Sequence, residues 1–118
     1  RAATYEMIVR VEDVKKYGVL FDEDFGAGAK NHLGDEYIFI ADLISKGAKC
    51  VFAPIPIAMH PANSSGARWG SREDRVARAR VFKRVFGPLA MPVRLAFALR
   101  RIPELGGVLN AAKFVISR

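Results

Sequence analysis

The chain has 118 residues and is 51% apolar, enough for one domain with a modest core and too apolar for a disordered tail. Nineteen Lys and Arg stand against 12 Asp and Glu, a net charge of +7. No run reaches about 18 uncharged apolar residues, which excludes a spanning helix; the longest candidate, Val81 to Leu99, is interrupted by Lys83, Arg84, Pro88, Pro92 and Arg94.

Thr4 to Arg10 reads as a strand, because Thr, Tyr, Ile and Val favour pleated, half-buried positions. Val11 to Tyr17 reads as a short helix stopped by Gly18, which accepts the left-handed cap conformation. Phe21 to Asn31 is loop, since its acids and glycines sustain neither period. Asp35 to Lys46 is the clearest helix. Tyr37, Ile40 and Ile44 recur on one face with Leu43 beside them, and Asp35 is suited to cap the free amides. Gly47 ends it. Lys49 to Ile57 is a continuous apolar run, the pattern of a strand covered on both faces, with Pro54 and Pro56 confining its later part to an edge.

Pro61 to Gly70 is a polar loop holding Asn63-Ser64-Ser65-Gly66. Helices follow from Ser71 to Gly87, from Pro92 to Arg101 and from Val108 to Ile116, separated by Gly87-Pro88 and by Pro103 to Gly107. Strand, helix, loop, helix, strand and then basic helices is the order of the second half of an α/β domain. The chain begins with Arg1 and shows no signal-peptide pattern, consistent with a fragment. The lone cysteine, Cys50, sits in an apolar run and reads as a small buried hydrophobe, which suits a reducing cytosol.

The charge is unevenly placed. Residues 1–66 carry seven basic and nine acidic side chains, and residues 67–118 carry twelve and three. An acidic half beside a basic half suggests two jobs. The basic tail reads as a solvated helix face or as an amphipathic anchor on anionic lipid. Nucleic acid is disfavoured, because Phe82, Phe86, Phe97 and Phe114 sit at helical core spacings and form no stacking platform.

Asp35 and Glu36 open the central helix. As capping acids they are ordinary. Successive helical residues point about 100° apart, so one acid can cap while the other faces a cleft and takes the proton of an attacking hydroxyl. His60 ends the apolar run before Pro61; it reads as a strand-end histidine, as a metal ligand or as a donor to phosphate. His32 has no evident partner in the sequence. The loop Phe25-Gly26-Ala27-Gly28-Ala29 lacks the third glycine of a dinucleotide fingerprint, and reads as a flexible connection or as bare backbone that approaches a sugar. Asp22, Glu23 and Asp24 read as a solvated acidic turn.

Taken together, residues 4 to 66 resemble the C-terminal half of family 2 glycosyltransferases. The resemblance rests on four landmarks in order: Phe21-Asp22-Glu23-Asp24-Phe25-Gly26-Ala27-Gly28, then Gly34-Asp35-Glu36, then Lys46-Gly47, then Pro54 to His60. The Ser64-Ser65 loop and basic helices also look like bacterial members that build surface or capsular polysaccharide.

The resemblance implies an α/β fold, the C-terminal half of a GT-A (Rossmann-like) nucleotide-sugar transferase domain over residues 1–66, followed by a basic helical tail over 67–118. It implies an inverting transfer from a nucleotide-diphospho-sugar to a hydroxyl on a glycan or lipid-linked acceptor, at the inner face of the cell membrane. It places the base at Glu36. Many members read Gly-Glu-Asp where this chain reads Gly-Asp-Glu, so Asp35 stands as the alternative. Gly26, Ala27, Gly28, Ser64 and Ser65 would bind substrate, and His60 would lie near a divalent metal (Mg or Mn) or the diphosphate. The family's nucleotide-binding half, with its Asp-x-Asp motif after a strand, is not matched. Asp22-Glu23-Asp24 has that spelling after the wrong element and takes no metal role. On this resemblance the 118 residues alone are inactive.

Overall fold

The computed structural model of the protein describes residues 6–57 and 71–117. Among them are five α-helices: α1 (Val11–Tyr17), α2 (Asp35–Ser45), α3 (Arg72–Phe86), α4 (Ala90–Arg100) and α5 (Val108–Ile116), with a 3₁₀ turn at Gly87–Leu89 between α3 and α4. The helix boundaries follow local chemistry. Gly18 ends α1 at φ 61°, and its amide bonds back to Val14 and Lys15. The hydroxyl of Ser71 accepts from the Asp74 amide at 2.9 Å and starts α3. Both follow the sequence reading, as do the limits of α5.

The expected α/β architecture is corrected. The described residues hold no strand and no sheet; the β-type pairing among them is one isolated bridge between Phe25 and Asn31. The described residues form a small all-helical fold, not half of a GT-A domain. The two expected strands fail for a shared reason: extended backbone becomes a strand when a neighbour satisfies its amides. Of the first, Thr4 and Tyr5 lie outside the described residues, and residues 7–10 have no strand pairing. Lys49 to Ile57 is unpaired as well, and Val51 and Phe52 are about four-fifths exposed or more, at 79% and 87%. At Pro54 the run bends, with the Ile55 amide donating to Ala53 at 2.8 Å, a three-residue turn that a ladder would not allow. Cys50, expected inside, is exposed.

Two apolar clusters hold the helices. The first joins Val19, Phe39 and Leu43 with Met7, Val14, Tyr17 and Ala48, packing α1 and the following loop onto α2. Phe21 stacks on Phe39 with ring centroids 4.4 Å apart, extending it. The second joins Ala79, Ala98, Leu105, Ala111 and Phe114 at the meeting of α3, α4 and α5. Phe82, Phe97 and Phe114 interlock there, with Phe82 edge-on to the other two at centroid distances of 5.1 and 5.7 Å.

Arg94 is buried in this helical trio, and among the described residues no acid pairs with it. Its guanidinium donates to the carbonyls of Ala79, Val115 and Ser117 at 2.6, 3.3 and 2.6 Å, fastening α4 to α3 and to the end of α5. Burial lowers its hold on the proton.

Gly34 fixes how α2 meets α3. Its φ is 102°, and a Cβ there would collide with the Val81 side chain. Gly34→Ala therefore combines strained backbone with overpacking. A loss of about 3 kcal/mol is expected, read from the urea midpoint. Gly47→Ala, at similar φ but in open space, isolates the backbone share and is expected to lose less.

Candidate functional site

The loop before α2 is closed by its own backbone. Asn31 is buried; its amide and its side chain Nδ2 both donate to the Asp24 carbonyl, at 3.1 and 2.9 Å, and its carbonyl accepts from Gly26 at 2.8 Å. Arg80 of α3 donates to Asn31 Oδ1 at 2.9 Å. This places buried Gly26 against the first residue of α2. A Cβ on Gly26 would lie 2.8 Å from Asp35 Cγ and Oδ2, so the bare backbone is what admits the carboxyl. Ala27 and Gly28 lie exposed at the tip of the same loop.

Gly34, not Asp35, occupies the N-cap position, and no side chain caps α2. Asp35 is thus not the cap that the sequence reading expected. Its half-buried carboxyl turns to Gly26 and to Glu36. Burial first, then the hydrogen bond and the charge of Glu36, raise the Asp35 carboxyl above the ordinary carboxylate value, against the pull of the amides at the helix start. The two acids, expected to point different ways with one as cap and the other toward a cleft, instead bond to each other, with Gly26 beside Asp35. Two cavities flank α3 among the described residues, of about 320 and 600 Å³, and neither is lined by Asp35 or Glu36.

Other side chains of the region hold it in place. His32 Nε2 and Asp74 Oδ1 are 2.8 Å apart across 42 residues of sequence, joining the loop to the start of α3. Arg84 grips both Asp42 oxygens at 3.1 and 2.8 Å while its Nε donates to Asp22 at 2.9 Å. Asp22 is thus a structural tie between loop, α2 and α3, and not part of a solvated turn. Sequence reasoning missed these partners because they lie 42 to 62 residues apart and neither end carries a spacing signal.

The His32–Asp74 contact has a pH consequence. Burial alone would raise the Asp74 carboxyl, but hydrogen bonds from His32 and Ser71, with the charges of His32 and Arg78, hold it below its ordinary value. A carboxyl with a depressed folded pKa contributes stability that is full above its unfolded value, about 3.9, and is lost as pH falls through the folded one. Thermal melts below about pH 4 are expected to fall more steeply in the wild type than in Asp74→Asn. Parallel acid limbs would contradict the pairing.

His60, Ser64 and Ser65 lie outside the described residues. Among the described residues no three His, Cys, Asp or Glu side chains converge as metal donors. Asp22, of the Asp22-Glu23-Asp24 run, is taken up by Arg84. His60, the residue expected near a metal, lies outside the described residues, and no chemical step is derived through a metal. No family model, curated protein or solved structure matches the chain.

Proposed function

We propose that the start of α2 supplies the acceptor-side base of an inverting sugar transfer from a nucleotide-diphospho-sugar. The observation that carries the reading is the Asp35 carboxyl packed on Gly26 beside Glu36, with its proton affinity raised. A carboxylate with raised proton affinity at a bare-backbone loop is suited to remove a hydroxyl proton. The ordered landmarks from Phe21 to His60 are the sequence basis of the same reading.

In this mechanism the acceptor hydroxyl attacks the anomeric carbon as its proton passes to the acid pair, and the bond to the nucleoside diphosphate breaks on the opposite face. The hydrogen bond and charge of Glu36, with burial, hold the Asp35 carboxyl above its ordinary value, so the two acids act on the proton together. Gly26 is a positioning residue: a side chain there would push the carboxyl out of place. On this reading the nucleotide sugar is held by a segment other than these 118 residues, and the acceptor is a growing glycan or a lipid-linked sugar.

The test is a donor screen on the protein encoded by the complete reading frame, with several nucleotide sugars and release of nucleoside diphosphate as readout. Acceptor-stimulated release from at least one donor is expected. A reading frame without an additional nucleotide-binding segment, together with no turnover of any donor, would defeat the proposal.

A further inference from the structure

We propose that the cleft between α3 and α5 docks on the anionic phospholipid headgroups of a bilayer surface. This is independent of sugar transfer and stands or falls separately. The cleft encloses about 600 Å³, and its wall carries Arg72, Arg75 and Arg80 from α3 and Lys113 from α5, with no acidic residue. Arg80 is held in place by Asn31, so part of the positive wall is fixed in advance of any ligand. Arg72, Arg80 and Lys113 face one concavity with like charge, and the complement of such a wall is a cluster of phosphates.

The rim says which source of phosphate fits. Ile116 lines the cleft beside Lys113. On α5, Leu109, Lys113 and Ile116 fall at helical spacings of four and three, on one face, and Leu109 and Ile116 are 70% and 68% exposed. An exposed apolar row on α5, running into a cationic cleft, matches a boundary that offers phosphate at one depth and hydrocarbon just below it. The long Lys and Arg stems reach the headgroups while Leu and Ile enter the acyl layer. A nucleic acid fits less well: no aromatic side chain lines the cleft, and Phe114 is fully buried in the core.

The test is co-sedimentation of the whole 118-residue chain with vesicles of phosphatidylcholine alone, and with one third phosphatidylglycerol. Binding to the anionic vesicles and not to the neutral ones is expected, weakening as added salt shortens the screening length. Arg72→Gln and Lys113→Gln are each expected to lower partition about fivefold, the effect of one basic charge at such a surface. Leu109→Ser with Ile116→Ser is expected to weaken it too, while Lys16→Gln on α1 leaves it unchanged. Helical circular dichroism identifies any variant that has unfolded. Several results would overturn the proposal: equal binding to both vesicle types, indifference to Arg72→Gln and Lys113→Gln, or capture of glycerol phosphate or an oligonucleotide with vesicles ignored. Self-association through Leu109 and Ile116 without vesicle binding would overturn it as well.

Discussion

Glu36→Gln and Asp35→Asn are each expected to reduce sugar transfer by about 10²–10⁴-fold while nucleotide-sugar binding is retained, because each removes one member of the pair that takes the proton. The comparison separates their roles. If Glu36 is the base, Glu36→Gln carries the larger loss in kcat, and Asp35→Asn acts mainly by altering how readily its partner holds a proton. If Asp35 is the base, the order reverses, and Gly26→Ala, which displaces the Asp35 carboxyl, follows Asp35→Asn. Initial rates and calorimetric donor binding check this in the protein that carries the donor site. Near-normal turnover in both carboxyl variants would remove the acid pair from the chemistry.

Phe114→Ala is expected to have the largest effect on stability. The ring is fully buried, touches Phe82 edge-on at 5.7 Å and lies 5.8 Å from Phe97, and sits where α3, α4 and α5 meet. Truncation loses the transfer free energy of the ring and leaves a cavity that three helices cannot close, a loss of about 4 kcal/mol. That is a large share of the roughly 5–15 kcal/mol that holds a small domain folded. Phe86, 41% exposed at the end of α3, provides the contrast, and Phe86→Ala is expected to lose about 1 kcal/mol or less. Urea unfolding followed by circular dichroism measures both. Equal losses would mean that the three-helix junction is not the stabilising core.

The helices were legible because their signals are local. Gly18, Ser71 and Gly87 punctuate the chain through backbone conformation or a hydroxyl, and each acts within one turn of where it stands. The strands were not legible, because a strand is a relation between segments. Lys49 to Ile57 has the composition of a covered strand and no partner among the described residues, so composition carried the prediction past what the fold supplies.

The buried face of α2 shows a subtler limit. Ile38, Phe39 and Leu43 point inward, whereas Tyr37 and Ile44, expected on the inner face, are about half exposed. The helix is apolar nearly all round, so its period selects no single face.

At the site, the sequence placed both acids at the start of α2 but had them point different ways, and it assigned the bare backbone of Gly26 to a sugar; the fold pairs Asp35 with Glu36 and sets Gly26 against the Asp35 carboxyl. The role of Asp35 did not follow: a residue suited to capping by type is displaced from that task by Gly34, whose φ of 102° turns the chain into the helix. His32 with Asp74, and Arg84 with Asp42 and Asp22, needed the fold, since each contact spans more than 40 residues.

The most direct measurement of the central claim is a carbon-detected NMR titration of the Asp35 carboxyl in the 118-residue chain, repeated in Glu36→Gln. An apparent pKa above the ordinary Asp value is expected, falling part of the way back when Glu36 is neutralised, since burial on Gly26 remains. A titration at or below the ordinary value, unmoved by Glu36→Gln, would show a carboxyl in open water and contradict the assignment of the α2 start as the proton acceptor.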